Sequence, residues 1–471
     1  MERNFLDRLC AFDMNKDFVL NLLDGQWYTY GQIWNNACLY VDRYHLGEKK
    51  EIAVIWENSA ELLCMYFACM ISGTMIIPID PQKAQPEIES ILENHPDITV
   101  LWEGDRNISL ATEKTDISLL EQLILGIDIQ KPYMITYTSG STGQAKGVIH
   151  SLQNLFLAGD VFGEEVGFSE KSRVCHTMPM TYMAGILNTI FMPLVRESQI
   201  VIFPRFSVMT AVTFWREVEK HGVNTFWLSP SMLNILMTVD RKGKAAGYLK
   251  STETIFCIGT APLFPQVKQA FEERYGVELL PSYGLSETLF ISTKVKGEHA
   301  ESNSVGKVLP MVNLHFSDAE EIYLDVPWMF LGYSNEKTSD YFEGKYYLSG
   351  DLGCITNQEL YITGRKKDLI IRGGMNISPK QIEEVLLQSE EVAECCVSSV
   401  VRDNEERIIC WCKTAGKAEI QGNALNAMVI ERLGMAFKVD KFVLVDDIPK
   451  NLNGKVDKER LKKGFIDDNQ I

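Results

Sequence analysis

The chain sets short apolar runs against longer amphipathic ones. EIAVIW at 51–56 has the length and β-branched content of a buried strand, and Asn58-Ser59-Ala60-Glu61 after it reads as a helix start with Asn58 as cap. ELLCMYFACMIS then stays apolar nearly all round, the mark of a deeply buried helix. Strand-like segments return as MIIPI (75–79), ITVLW (98–102), QIVIF (199–203), NTFWL (224–228), ETIFCI (253–258) and VELLP (277–281). Helix-like segments at 210–221, 230–239 and 263–275 separate the later ones. This alternation predicts an α/β fold of parallel strands layered with helices. From 305 to 363 the pattern changes to short strands and turns (EIYLDV, YYLSGDLGCI, ELYIT), which predicts a β-rich subdomain. At Gly364-Arg365-Lys366-Lys367-Asp368 the chain turns polar and basic, and the main domain boundary is expected there. Beyond it the order reads strand, helix, strand, strand, helix, strand and a basic tail. The first of those helices has Ser378 as cap, Pro379 at its first position, Gln381 completing a capping box, and an apolar face of Ile382, Val385, Leu386 and Leu387.

Composition adds limits. Length (471 residues), 46% hydrophobic and 23% charged residues suit a soluble protein of several domains or subdomains. The net charge of −17 argues against non-specific binding to nucleic acid or anionic membrane, so an anionic ligand needs local basic residues. No run of eighteen apolar residues is present, so no membrane span is expected. The start, MERNFLDRLCAFDMNKD, reads as neither signal nor transit peptide. The eleven scattered cysteines read as reduced, mostly buried thiols of a cytoplasmic protein. Cys395 and Cys396 fall on opposite faces of one strand, and Cys410 and Cys412 share a strand without histidine, which does not suit a zinc site.

Chemistry concentrates in YMITYTSGSTGQAKG, 133–147. A short apolar strand runs into a loop of Gly, Ser and Thr closed by Lys146. Glycines bring backbone N–H groups close to an anion, hydroxyls donate further bonds, and the lysine adds a mobile charge. The order Lys146-Gly147 differs from the Gly-Lys-Ser/Thr of a Walker A loop. Loops at the C-terminal ends of parallel strands form ligand crevices. Here 138–147, 259–262 and 282–288 are the candidates.

YTSGSTGQAKGV (137–148), GTAPL (259–263), YGLSET (283–288), YYLSGDLG (346–353), GRKKDLIIRGGMNISPKQIEEVL (364–386) and PKNLNGKVD (449–457) together resemble the motifs of the adenylate-forming superfamily: acyl-CoA synthetases, carrier-loading adenylation domains and luciferases. The match spans more than two-thirds of the chain, in family order. The resemblance implies a large N-terminal domain (1–363), a hinge (364–368) and a small, mobile α+β C-terminal domain (369–471). It also implies ATP, Mg²⁺ and CoA, or a carrier protein's phosphopantetheine, as the groups bound. A small carboxylic acid is activated as its adenylate and passed to a thiol.

By the same resemblance, Thr138, Ser139, Ser141, Thr142, Gly143 and Lys146 hold the ATP phosphates. Gly259, Thr260 and Ala261 line the base pocket, Tyr283 stacks on adenine, and Gly284 beside it is among the cofactor-binding residues. Glu287 holds Mg²⁺, Thr288 touches the α-phosphate, Asp351 takes the ribose hydroxyls and Arg365 contacts the nucleotide. Lys455 bridges carboxylate and α-phosphate. Lys367 is the hinge, and Gly373 and Gly374 let a pantetheine arm pass. Alone, Lys455 in Asn-Gly-Lys reads as a solvated hairpin charge.

The acyl pocket is expected from Tyr182, Met183, Ile186, Trp227 and Phe290, with Met180 beside them; ordinary core packing is the competing reading for each. Pro179-Met180-Thr181-Tyr182-Met183-Ala184-Gly185 departs from the family's Pro-Leu-Phe-His-x-x-Gly, with Tyr182 in the histidine's place. No acid lies between Glu170 and Glu197, and a buried ammonium without a partner is costly, so an apolar or aromatic acid is favoured over an α-amino acid. Glu320-Glu321 stands where relatives have Gly-Glu. Acceptor choice between CoA and a carrier stays open; the retained Lys146, Glu287, Asp351 and Lys455 argue against a binding protein that has lost its chemistry, and no feature speaks for a luciferase-type oxygenase.

Overall fold

The computed structural model describes residues 4–106, 110–112, 117–138, 145–298, 303–372, 374–402, 405–416, 420–451 and 455–468. The alternation in the sequence folds into two large sheets. The first has six strands in the order Gly332–Tyr333, Lys146–Ser151, Pro132–Thr138, Met75–Pro78, Glu51–Ile55, Thr99–Trp102. The four from Pro132–Thr138 onward are parallel, and the first two are added antiparallel. The second has nine strands, whose centre Asp17–Asn21, Gln199–Ile202, Arg173–His176, Thr225–Leu228, Ile255–Ile258, Leu279–Leu285 is parallel throughout. Helix Ala60–Ser72, apolar on every side, packs in the core shared by both sheets, which explains why its sequence carries no polar face.

A third sheet, built on the long hairpin Tyr346–Thr356 and Glu359–Arg365 with Asn313–Phe316 and Glu321–Asp325, is the predicted β-rich part. After Lys366–Asp368, a short 3₁₀ turn, the chain builds a separate core under strands Val392–Arg402 and Glu405–Thr414 and helices Pro379–Leu386 and Gly422–Leu433. Cys395 joins this core, while Cys396 faces a second cluster with Trp411 and Phe465 on the opposite side of the sheet. All eleven cysteines are free thiols, eight of them buried. Among the described residues no helix is long and apolar enough to cross a membrane. The small body meets the large one along the edge strand Glu359–Arg365, where Ser378 Oγ donates to the Thr363 carbonyl at 2.8 Å and Lys380 to that of Ile362. Beside these bonds the seam holds a cavity of about 280 Å³, lined from both sides by residues including Cys354, Tyr361, Gln381 and Glu384.

Several local expectations change. Asn58 does not cap its helix; Ser59 does, and Asn58 instead bonds the Met178 carbonyl and the Met180 N–H across the sheets. Ser378 makes no capping box because its hydroxyl is spent on Thr363. The 282–288 segment is not a loop throughout: the strand continues to Leu285 and turns back as Leu289–Thr293. The phosphate loop returns into a strand, Lys146–Ser151, which the sequence reading leaves undefined. The basic tail is a helix, Lys458–Asp468.

Candidate active site

Thr138 and Lys146 face each other across the mouth of the hairpin that carries the phosphate loop. Ser139, Ser141, Thr142 and Gly143 lie outside the described residues, as does Gly373. Lys146 is 12% exposed, and its Nζ sits 2.9 Å from Glu336 Oε2, bonded to the Tyr341 hydroxyl and over that ring at 4.2 Å. Burial pulls the Lys146 amine down, but the bonds to Tyr341 and Glu336 outweigh it and hold its pKa above the ordinary value. The same contacts hold the Glu336 carboxyl low against its own burial.

A chain of phenols links this lysine to the next loop. The Tyr333 ring lies 5.5 Å from Lys146 Nζ, its hydroxyl donates to Glu287 Oε1 at 2.8 Å, and the Tyr347 hydroxyl is 3.0 Å away. Burial, then the Glu287 charge, pushes both phenols well above their usual range, so they stay protonated. The turn carrying Glu287 is fixed by backbone contacts: Phe330 N–H donates to the Glu287 carbonyl, and His150 Nε2 lies 2.7 Å from that of Ser286. Leu289 closes the turn at φ 51°, a strained conformation for a branched side chain.

Beyond the turn, Asp351 gathers two partners. It is 2% exposed, accepts the Tyr283 hydroxyl at 2.8 Å and the Arg365 Nε–H at 2.7 Å, and faces Arg365 in hairpin register. Gly284 is required here, since a Cβ would stand 2.1 Å from the Leu289 carbonyl oxygen. Gly259 and Thr260 follow the neighbouring strand Ile255–Ile258, with Ala261 next and Thr260 at φ 73°. Trp227, Thr260 and Thr288 each have a buried side-chain donor atom without a partner: Nε1, Oγ1 and Oγ1. An unpaired buried donor costs about 1–3 kcal/mol, which a ligand acceptor in reach would recover.

The residues expected to line an acyl pocket share one region of the core. Met183, Ile186, Trp227 and Phe290 belong to one buried cluster with Met180, and Tyr182 opens the short helix Met183–Ile186 half-buried. Phe162, which the sequence reading passes over, stacks on Phe290 at 4.0 Å and lies 5.3 Å from Trp227. The helix continues through a π turn, Leu187–Phe191, where Thr189 donates to the Gly185 carbonyl at 2.7 Å. Its one proton used, Thr189 accepts from His176 Nδ1–H at 2.6 Å, and burial drops the His176 pKa to about 4.

On the hinge side, burial first, then the charges of Arg365, Lys458 and Lys455, holds the Lys367 amine below its ordinary pKa. Lys367 follows two residues after Arg365, the partner of Asp351. Asp368 pairs with Lys458 at 2.7 Å. Asn451 clamps the Lys455 backbone from both sides, its side chain accepting the Lys455 N–H at 3.0 Å and its N–H donating to the Lys455 carbonyl at 2.8 Å. Gly374, at φ 79°, turns between strands Ile370–Arg372 and Met375–Ile377.

Tyr333, Glu336 and Tyr341 escape sequence reasoning because they sit in a stretch legible only as turns and short strands, and Tyr347, within the YYLSGDLG motif, is given no role there. Their one signal is the density of tyrosines and acids in 333–347. Glu321 is explained by its contacts: buried, it accepts Lys366 at 2.7 Å and the Gly350 N–H at 3.2 Å, bracing the Asp351 turn. Its neighbour Glu320 takes φ 62°, the conformation that suits the glycine of relatives.

A family model described as AMP-binding enzyme matches residues 6–334, and one described as AMP-binding enzyme C-terminal domain matches 381–455. The chain is 26% identical to a sulfoacetate–CoA ligase of Cupriavidus necator over 95% of this chain and 94% of that protein. It is likewise 26% identical to a malonate–CoA ligase of Arabidopsis thaliana, over 94% of this chain and 85% of the other. The crystal structure of ATP-bound MatB from Rhodopseudomonas palustris superposes with a TM-score of 0.84, covering 99% of both chains at 22% identity, a likeness of fold.

Proposed function

The chain belongs to the AMP-binding enzyme family, and from that membership we propose that it activates a carboxylic acid with ATP and passes the acyl group to the thiol of CoA. The carboxylate oxygen attacks the α-phosphorus, pyrophosphate leaves, and the acyl-adenylate forms. A thiol sulfur then attacks the acyl carbon, and AMP leaves as the thioester forms. The observation that supports the reading is the joining of Tyr283, Asp351 and Arg365 in one hydrogen-bonded group.

In this reading Asp351 accepts the ribose hydroxyls, Tyr283 with Gly259, Thr260 and Ala261 holds the base, and Arg365 steadies the nucleotide. Thr138 and Lys146, with the loop between them, hold the β- and γ-phosphates. Thr288 Oγ1, buried and unpaired, is a donor for the α-phosphate. The Glu287 carboxylate beside it supplies the oxygen ligand that a hard Mg²⁺ prefers, and the ion offsets charge on the phosphates. Lys455 neutralises the approach of one anion to another, a task for a point charge on a flexible stem.

Residues 1–363 form the nucleotide-bearing domain and 369–471 the moving one, with Lys367 as pivot. Turning there withdraws Lys455 and presents Gly373 and Gly374 to the pantetheine arm. The apolar wall of Met183, Ile186, Trp227 and Phe290, with Tyr182 at its mouth, favours an apolar or aromatic acid. The indole N–H left free in that wall suits one carrying a hydrogen-bond acceptor. The test is pyrophosphate release over a panel of acids, repeated with CoA and with a pantetheinylated carrier protein. Acid-dependent release that yields a CoA thioester is expected; release with no acid of any class overturns the assignment.

A further inference from the structure

Lys146 does not wait for phosphate as a free charge. Its ammonium is paired with Glu336 at 2.9 Å, the Tyr341 hydroxyl bonds both groups, and the Tyr341 ring covers the charge at 4.2 Å. The pair is shielded, the two side chains being 12% and 25% exposed, so the attraction is screened less than that of a surface pair. Glu336 is also held within reach of the hairpin by its neighbour Asn335, whose side chain accepts the Gly147 N–H at 3.1 Å and donates to the Ala145 carbonyl at 2.8 Å. Lys146 Nζ also lies 5.5 Å from the Tyr333 ring, whose hydroxyl donates to Glu287.

We propose that Glu336, aligned by Tyr341, is the resting counter-ion of Lys146, and that an incoming triphosphate takes its place. One ammonium cannot be fully shared between a carboxylate and a polyphosphate, and leaving both anions together costs repulsion. Glu336 therefore swings toward solvent, to which a quarter of its side chain is already open. It is a positioning residue: it keeps Lys146 extended over the tyrosines and lowers the affinity for ATP, so that the lysine grips phosphate without trapping it. This rests on the assignment of Lys146 to the phosphates.

The test is calorimetric binding of MgATP to the full chain, with wild type, Glu336→Gln, Glu336→Asp, Tyr341→Phe and Lys146→Met, each checked by thermal melting. Removing the competing charge tightens MgATP binding about three- to tenfold in Glu336→Gln, the effect expected of a half-screened ion pair. Glu336→Asp restores affinity toward wild type, and Tyr341→Phe falls between. Without nucleotide Glu336→Gln melts below wild type, and at saturating MgATP the two melt together, because the pair exists only in the resting state. Equal affinity in Glu336→Gln overturns the proposal. Weaker affinity also overturns it, making Glu336 a ligand of the bound nucleotide or its metal. If Lys146→Met binds MgATP as well as wild type, the phosphate assignment beneath the proposal fails with it.

Discussion

Replacing Asp351 separates a structural role from a binding one. Its carboxylate accepts Arg365 at 2.7 Å and Tyr283 at 2.8 Å while 2% exposed. Asp351→Ala removes both bonds. Both bonds end on the charged carboxylate, and each such charge-assisted bond contributes about 1.5–3 kcal/mol. Arg365, at 44% exposure, can turn to water, which places its share at the low end. The expected loss of stability is about 3–4 kcal/mol for Ala and about half that for Asn, which keeps one neutral acceptor, read from urea unfolding. For nucleotide the consequence is larger. Two ribose hydroxyls lose their charged acceptor, so ATP affinity falls by roughly a hundredfold or more. The decisive measurement pairs the variants with ATP and 2′,3′-dideoxy-ATP. Wild type discriminates strongly between them and Asp351→Ala does not, as a double-mutant cycle requires. If Asp351→Ala binds ATP like wild type, or still separates the two nucleotides, the carboxylate only braces the hairpin.

Lys455→Ala abolishes acid-dependent pyrophosphate exchange and leaves thioester formation from a supplied acyl-adenylate largely intact; equal loss in both assays refutes the division of labour. Lys367→Pro spares adenylate formation and slows thioester formation, measured by single-turnover quench, and an unchanged overall rate refutes the pivot. Glu320→Gly relieves a left-handed glutamate at φ 62° and raises stability by up to about 1 kcal/mol, seen as a higher melting temperature; a lower one contradicts the strain. His176, neutral with a pKa of about 4 against 6.5 when unfolded, makes the unfolded chain bind more protons between these values. Its contribution is present above pH 6.5 and is lost as pH falls toward 4, on the order of 3 kcal/mol at most. Urea midpoints at pH 7 and 5 should therefore converge in His176→Gln, and an undiminished difference assigns the acid sensitivity elsewhere.

Much of this was legible because local patterns carried it. The parallel strands announced themselves by short β-branched runs, and the Asp351 and Tyr283 motifs are contiguous and turn-bound. What escaped was set by partners distant in the chain. Asn58 has the look of a cap, yet the pull of the Met178 and Met180 backbone 120 residues away decides its orientation. Ser378 has every local feature of a capping box and loses it to Thr363. Glu336 and the tyrosines around Lys146 meet it only through sheet pairing between Gly332–Tyr333 and Lys146–Ser151, which no periodicity in the sequence encodes. The close of the Tyr283 strand hid because a turn of three residues between two strands reads as one loop.

The imperfectly filled seam between the two bodies has a bearing on timing. Ser378 and Lys380 tie the small lobe to the edge strand by their side chains, and a gap of about 280 Å³ alongside gives water a way into the contact. Parting the surfaces then exposes little dry area, and the freed carbonyls of Ile362 and Thr363 are hydrated at once. A turn of the small lobe about Lys367, as proposed, is accordingly expected to meet a low barrier. Turnover should respond more to what occupies the cleft than to how firmly the lobes adhere.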